Sequence, residues 1–155
     1  MITTTEISRE PQFYITGISV RTINQGGRSA ADIGDLWTRF MSENLIDKIE
    51  DKETNDLYCV YTNYETDHTG PYTAILGCKV RSFDNVCEGF ARVIVPAGKF
   101  QVHSLCGEFP NNIGCAWRQI WDSGVKRTYT ADYDLYKSNA KSFAETEAII
   151  YLAVG

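Results

Sequence analysis

Residues 73–80 read TAILGCKV, and residues 147–154 read EAIIYLAV. Both are apolar, β-rich runs of strand length, and each closes a segment whose elements follow the same order. Upstream of each lies a Trp-bearing stretch, GDLWTRF (34–40) and GCAWRQI (114–120), which sets Trp37 over Trp117. Before the first of these is a β-branched, alternating run, FYITGISVRT (13–22). Before the second is GFARVIVPAGKFQVHSLCG (89–107), one or two strands around a Pro96–Ala97–Gly98 turn. LYCVYTNYE (57–65) and PYTAILGCKVRS (71–82) flank the polar turn TDHTG and predict a hairpin. RTYTADYDLYKS (127–138) supplies the matching strand of the second half.

Both halves therefore run strand–helix–strand–strand. The expected fold is α+β, a tandem β-α-β-β duplication within one domain, 1–155, with pseudo-repeats over about 13–82 and 89–155. Two antiparallel sheets, each backed by one helix, would pack around a pseudo-twofold axis and leave a ligand cleft between the halves.

The helices are read from their periodicity. IGDLWTRFMSENLIDKIED (33–51) spaces Ile33, Leu36, Trp37, Phe40, Met41, Leu45, Ile46 and Ile49 as one apolar face. Gly26 and Gly27 mark the loop before it, and Ser29 or Asp32 is a candidate cap. EFPNNIGCAWRQIWDSG (108–124) carries a stripe of Ile113, Trp117, Ile120 and Trp121 between Pro110 and Gly124. About a dozen residues precede the first predicted strand, with no helix-turn-helix among them, so a stand-alone domain is expected.

The net charge of −5 argues against non-specific nucleic-acid binding, which needs a basic patch to displace counterions. MITTTEISRE has neither the basic nor the apolar region of a signal peptide, and no apolar run approaches membrane length. Cys59, Cys78, Cys87, Cys106 and Cys115 are an odd set without C-x-x-C spacing, which fits small buried hydrophobes in a reducing cytoplasm. No phosphate-binding glycine loop or nucleophile elbow occurs. His68 lies in the hairpin turn, where solvation is expected, and His103 lies in a strand with a structural role expected. Neither has a metal-ligand partner nearby, so no metal or cofactor is expected. Cys106 and His103 stand three apart on a strand, hence on opposite faces, which excludes a Cys–His pair.

What remains is ADYDLY (131–136), where alternation turns Asp132, Asp134 and Tyr136 one way and Ala131, Tyr133 and Leu135 the other. Aspartate is a poor strand former. Either this is a solvated outer face, or an acid stands among aromatic rings. In the second case Asp134 serves as counter-charge for a lipophilic cation or, with its pKa raised by burial, as a general acid or base. Tyr61, Trp37, Trp117 and Trp121 are candidate walls, with core packing as the alternative for the tryptophans and a solvated face as the alternative for Tyr61.

These stretches, together with VIVPAGKFQVHSLCG, AWRQIW and YDLY, resemble the GyrI-like effector-binding domain family, also called the AraC-type or bacterial transcription-activator effector-binding domain. The resemblance covers roughly 13–154 and implies the tandem fold with a cleft between its halves. Family members include drug-sensing domains of regulators, stand-alone binders, a DNA gyrase inhibitor and hydrolases of cyclopropane-containing electrophiles. The family's F-E-x-Y motif corresponds here to Tyr133, Asp134 and Tyr136, and its closing-strand tyrosine to Tyr151. The implied function is binding of aromatic, cationic compounds at Asp134, Tyr136, Tyr151, Trp37, Trp117, Trp121 and Tyr61. The alternatives are hydrolysis with Asp134 activating water, or a role as inhibitor or sensing partner of another protein. Asp134 is one methylene shorter than the family glutamate, a setback of about 1.5 Å, which favours binding over catalysis.

Overall fold

The computed structural model describes residues 2–155. Strands β1 (Ile2–Glu10) and β2 (Phe13–Thr22) lead to helix α1 (Arg28–Ser42), then β3 (Leu57–Thr62) and β4 (Tyr72–Val80). Strands β5 (Ala91–Val95) and β6 (Gly98–Leu105) lead to α2 (Asn111–Ser123), then β7 (Ala131–Tyr136) and β8 (Ala148–Val154). The strands form one sheet in the order β1-β6-β8-β7-β3-β4-β2-β5, antiparallel throughout.

The two half-sheets are thus continuous rather than separate. They join where β3 pairs with β7, from Leu57 opposite Tyr136 to Thr62 opposite Ala131. Both strands lie deep in the structure, where an unpaired row of backbone donors and acceptors would be costly, and pairing them removes two buried edges.

A strand not expected from the sequence is β1, which pairs with β6 from Ile2 opposite Leu105 to Glu10 opposite Gly98. Its burial pattern shows no alternation, because an edge strand with much exposed surface has no face that must be apolar. The Thr-rich ITTTEI is its one local signal. β5 is its counterpart: it runs into β6 through Pro96 and Ala97 but pairs with β2, Phe13 opposite Val95. Likewise β1 runs into β2 through Pro11 and Gln12 but pairs with β6. Each half thereby contributes an edge strand to the other, and proline, lacking an N–H to pair, suits both corners.

α1 begins earlier and ends earlier than its periodicity implies. It stops at Ser42, and Asn44 takes a left-handed conformation (φ 51°) before a 3-10 turn over Leu45–Lys48. Leu45 and Ile49 are nonetheless buried, so the apolar spacing reported burial past the point where the helix ends. Ser29 and Asp32 do not cap it; Asp32 accepts from the Thr22 hydroxyl at 2.8 Å instead. α2 ends at Gly124 in the left-handed conformation (φ 70°) that glycine favours.

Both helices cover one face of the sheet. Leu36 and Phe40 of α1 pack on Ile18 and Leu76, and Ala116 and Ile120 of α2 pack on Ile150 and Leu152. The opposite face closes on itself. Phe13 of β2 and Phe100 of β6 lie far apart in strand order, yet their ring centroids are 5.2 and 5.5 Å from that of Tyr133. The sheet must curl to bring them together. The curl passes through Gly17 of β2 opposite Gly77 of β4, where a Cβ on either glycine would overlap the facing strand's backbone. Among the described residues no helix is long and apolar enough to cross a membrane.

Candidate functional site

β7 is buried along its whole length, and Asp134 is 0% exposed. Asp134 stands opposite Cys59 of β3 and Ile150 of β8, on the face beneath the helices. Its Oδ2 accepts from the Tyr61 hydroxyl at 2.5 Å and the Tyr136 hydroxyl at 2.8 Å, and its Oδ1 from the Trp117 indole nitrogen at 2.9 Å. Each donor has a structural reason to be there. Tyr136 is two residues along the same strand, Tyr61 lies on the neighbouring strand, and Trp117 reaches down from the apolar stripe of α2.

No basic side chain pairs with Asp134 among the described residues. Burial pushes its pKa up to about 7, against the three hydrogen bonds that stabilise the carboxylate; the Asp132 charge adds to the rise. Burial also pushes the Tyr61 and Tyr136 hydroxyls well above the usual tyrosine range, the Asp134 charge adding to it. They therefore remain neutral donors. The solvated-face alternative does not hold for Asp134.

Above this acid is a cavity of about 760 Å³ between α1, α2 and the central strands, within the size range of small-molecule sites. Trp37, Tyr61, Trp117, Trp121, Asp134 and Tyr136 all line it. Trp37 stands edge-on to Tyr136 (5.0 Å, 86°) and Trp117 edge-on to Tyr61 (5.3 Å, 81°), a packing that locks ring orientation.

Tyr151 is not part of this wall. It stands opposite Tyr133, one residue out of phase with Asp134, so it lies on the other face of the sheet. There its ring stacks on Tyr133 with centroids 4.5 Å apart and planes 12° apart. The residue of β8 that stands opposite the acid, on its face, is Ile150.

Several further residues belong to the cavity. Tyr64, Tyr72, Phe109, Ile113 and Arg127 line it, and so does His68, whose Nδ1 is 3.1 Å from the Tyr129 hydroxyl rather than in open solvent. Asp132 is fully buried beside them; alternation had already placed it on the face of Asp134. His103 has Thr5 Oγ1 at 2.9 Å and Gln101 Oε1 at 3.0 Å on its two ring nitrogens, a structural role. Among the described residues no group of His, Cys, Asp and Glu gathers in a metal-holding arrangement.

Known proteins share this architecture. The integron cassette protein VCH_CASS2 from the mobile metagenome of Vibrio cholerae superposes with a TM-score of 0.79 at 31% identity, over 99% of this chain and 97% of that one. SAV2435, solved bound to tetraphenylphosphonium, superposes with a TM-score of 0.81 over 99% of this chain and 94% of its own, at 13% identity that speaks for the fold alone. YobU of Bacillus subtilis (strain 168), provisionally named a transcriptional regulator, is 29% identical over 147 residues, 89% of each chain. The family model for Cass2, integron-associated effector binding protein, matches residues 6–154. The chain belongs to this family of effector-binding proteins.

Proposed function

We propose that the chain binds aromatic, cationic, lipophilic small molecules in the cavity between α1, α2 and the β3–β7 seam, as a member of the wider GyrI-like effector-binding group. The observation that carries this reading is Asp134: a fully buried carboxylate with hydrogen bonds but no counter-ion among the described residues, at the floor of an aromatic cavity. An uncompensated buried charge costs several kcal/mol, and a cation entering the cavity offsets that cost. Ring faces add roughly 0.5–2 kcal/mol per contact. The tetraphenylphosphonium bound to SAV2435, a protein of the same fold, supports a ligand of this chemistry.

The missing methylene bears on how contact is made. Tyr61, Tyr136 and Trp117 reach Asp134 at 2.5–2.9 Å, so the acid presents its charge through a layer of donors. This supports binding through the electrostatic field over hydrolysis, which needs an oxygen free to take a proton from water. The similarity to YobU supports placing that binding in transcriptional control.

All three tryptophans of the chain line the cavity, so intrinsic fluorescence reports its occupancy. Tetraphenylphosphonium is expected to quench that emission saturably at pH 8, with affinity at least tenfold weaker in Asp134→Asn. Absence of quenching by this and other aromatic cations overturns the proposal.

A further inference from the structure

The cavity has a second polar pole that cation binding does not use. Arg127, in the loop before β7, lines the cavity with a side chain 3% exposed. Its Nη2 donates to Asp132 Oδ2 at 2.7 Å and to the Tyr64 hydroxyl at 3.1 Å. Nε and Nη1 are buried and have no hydrogen-bond partner among the described residues. Asp132 does not take them: its oxygens already accept from the Ala153 amide, the Tyr64 hydroxyl and Nη2. The guanidinium thus meets its carboxylate through one nitrogen, and the rest of its planar fork is left over.

Orphaned donors on a buried charge are expensive. Three rings surround them, Tyr129 at 4.5 Å, Trp117 at 5.5 Å and Tyr64 at 5.7 Å from the guanidinium carbon. Ring faces attract the charge but offer no lone pair as a carbonyl or carboxylate does. Trp117 is held by its bond to Asp134 and Tyr64 by its bond to Asp132. Tyr129, the nearest, sits in the connecting loop in a left-handed conformation (φ 56°) and is bonded to His68 of the β3–β4 turn.

We propose that Arg127 is a second anchor of the cavity, donating Nε and Nη1 to a carboxylate or similar acceptor carried by an aromatic cation whose positive centre lies towards Asp134. Trp117 stands between the poles, its N–H on Asp134 and its ring face towards Arg127. The ligand class is therefore an aromatic cation with an attached acceptor, rather than one clothed only in hydrocarbon. This rests on the cation-binding reading and narrows it.

Two probes that differ by one carboxylate test it: tetraphenylphosphonium and (4-carboxyphenyl)triphenylphosphonium, titrated calorimetrically into the full chain at pH 8. The carboxylated probe is expected to bind roughly tenfold tighter, the scale of one charge-assisted hydrogen bond. Arg127→Lys keeps a positive partner for Asp132 but lacks the planar fork, and is expected to lose that preference while still binding tetraphenylphosphonium. Arg118→Gln, which removes the other arginine at the cavity, is expected to retain it. Equal or weaker binding of the carboxylated probe by the parent overturns the inference, as does a preference that survives Arg127→Lys or disappears in Arg118→Gln. If Arg127→Lys does not fold, the parent and Arg118→Gln decide. Tetraphenylphosphonium binding without the preference refutes this inference alone; no binding of either probe refutes the cation reading with it.

Discussion

The indole nitrogen of Trp117, on α2, donates to Oδ1 of Asp134, in the middle of the sheet, across 2.9 Å. This bond ties a helix to the buried carboxylate at the floor of the cavity, and it is part of what keeps that residue ionisable near neutrality. Trp117→Phe keeps the ring and removes the donor. The Asp134 midpoint is expected to rise by about one to two units, the scale of one hydrogen bond to a charged group. The pH profile of tetraphenylphosphonium affinity reads this directly; an unmoved profile refutes the role assigned to the bond.

Cation binding should itself depend on pH. Asp134, with its pKa pushed up to about 7 by burial, carries charge above that value and is neutral below it. Affinity for a permanent cation is expected to be flat above pH 8 and to fall up to about tenfold per unit below pH 7. In Asp134→Asn the slope should vanish.

The stability of the ligand-free protein should run the other way. The folded-state value lies above the ordinary 3.8, so Asp134 contributes stability that is fully present below about pH 4 and lost as the pH rises through about 7. The difference amounts to about 4 kcal/mol, as an order of magnitude. Melting curves of parent and Asp134→Asn between pH 5 and 8 should diverge, the parent losing more on going to pH 8. Parallel curves contradict the assignment of the titrating group.

Tyr151 provides the internal control. It lies on the face away from the cavity, stacked on Tyr133, so Tyr151→Phe should leave tetraphenylphosphonium affinity unchanged. Tyr61→Phe removes a donor to Asp134 and should weaken binding near pH 7. A loss of affinity in Tyr151→Phe would return that residue to the site.

Gly77→Ala examines the curl of the sheet. Its Cβ would meet the Thr16 backbone across the strand pair, which cannot yield as a flexible side chain can. A destabilisation of about 3 kcal/mol or more is expected in urea unfolding, at the upper end for overpacking. A cost below 1 kcal/mol would mean that the strand pair tolerates a wider separation.

Asp134 and Tyr151 show where the sequence was legible and where it was not. That Asp134 and Tyr136 share a face follows from the two-residue period of one strand, a local property readable in ADYDLY. That Tyr151 lies on the opposite face depends on β8 pairing with β7 so that Tyr133 meets Tyr151, and register between strands is not written in either alone. The resemblance of the closing strand put a tyrosine in the wall; the register puts Ile150 opposite Asp134 instead, packed beneath α2 with Ala116 and Ile120.

α1 and β1 divide in the same way. The apolar spacing of 33–51 marked Leu36, Phe40, Leu45 and Ile49, which are buried, but also Met41, which is exposed, and the break at Asn44 is a local left-handed turn that spacing cannot report. β1 carries no alternation because its edge position leaves much of it in solvent, so only its pairing with β6 makes it a strand.

By itself, then, the sequence determined the strand–helix–strand–strand order within each half, though not β1, together with the acid set among tyrosines and the tryptophans at corresponding places. These are encoded in periods of two and 3.6 and in residue types, which act over a few neighbours. Only the tertiary structure decided that β3 and β7 join the halves, that Asp134 accepts from Tyr61, Tyr136 and Trp117, and that Arg127 is buried with donors to spare. Those relationships join residues distant in the chain, Tyr61 and Asp134 by 73 positions, and arise from strand register, sheet curl and helix docking, which packing of the whole chain sets.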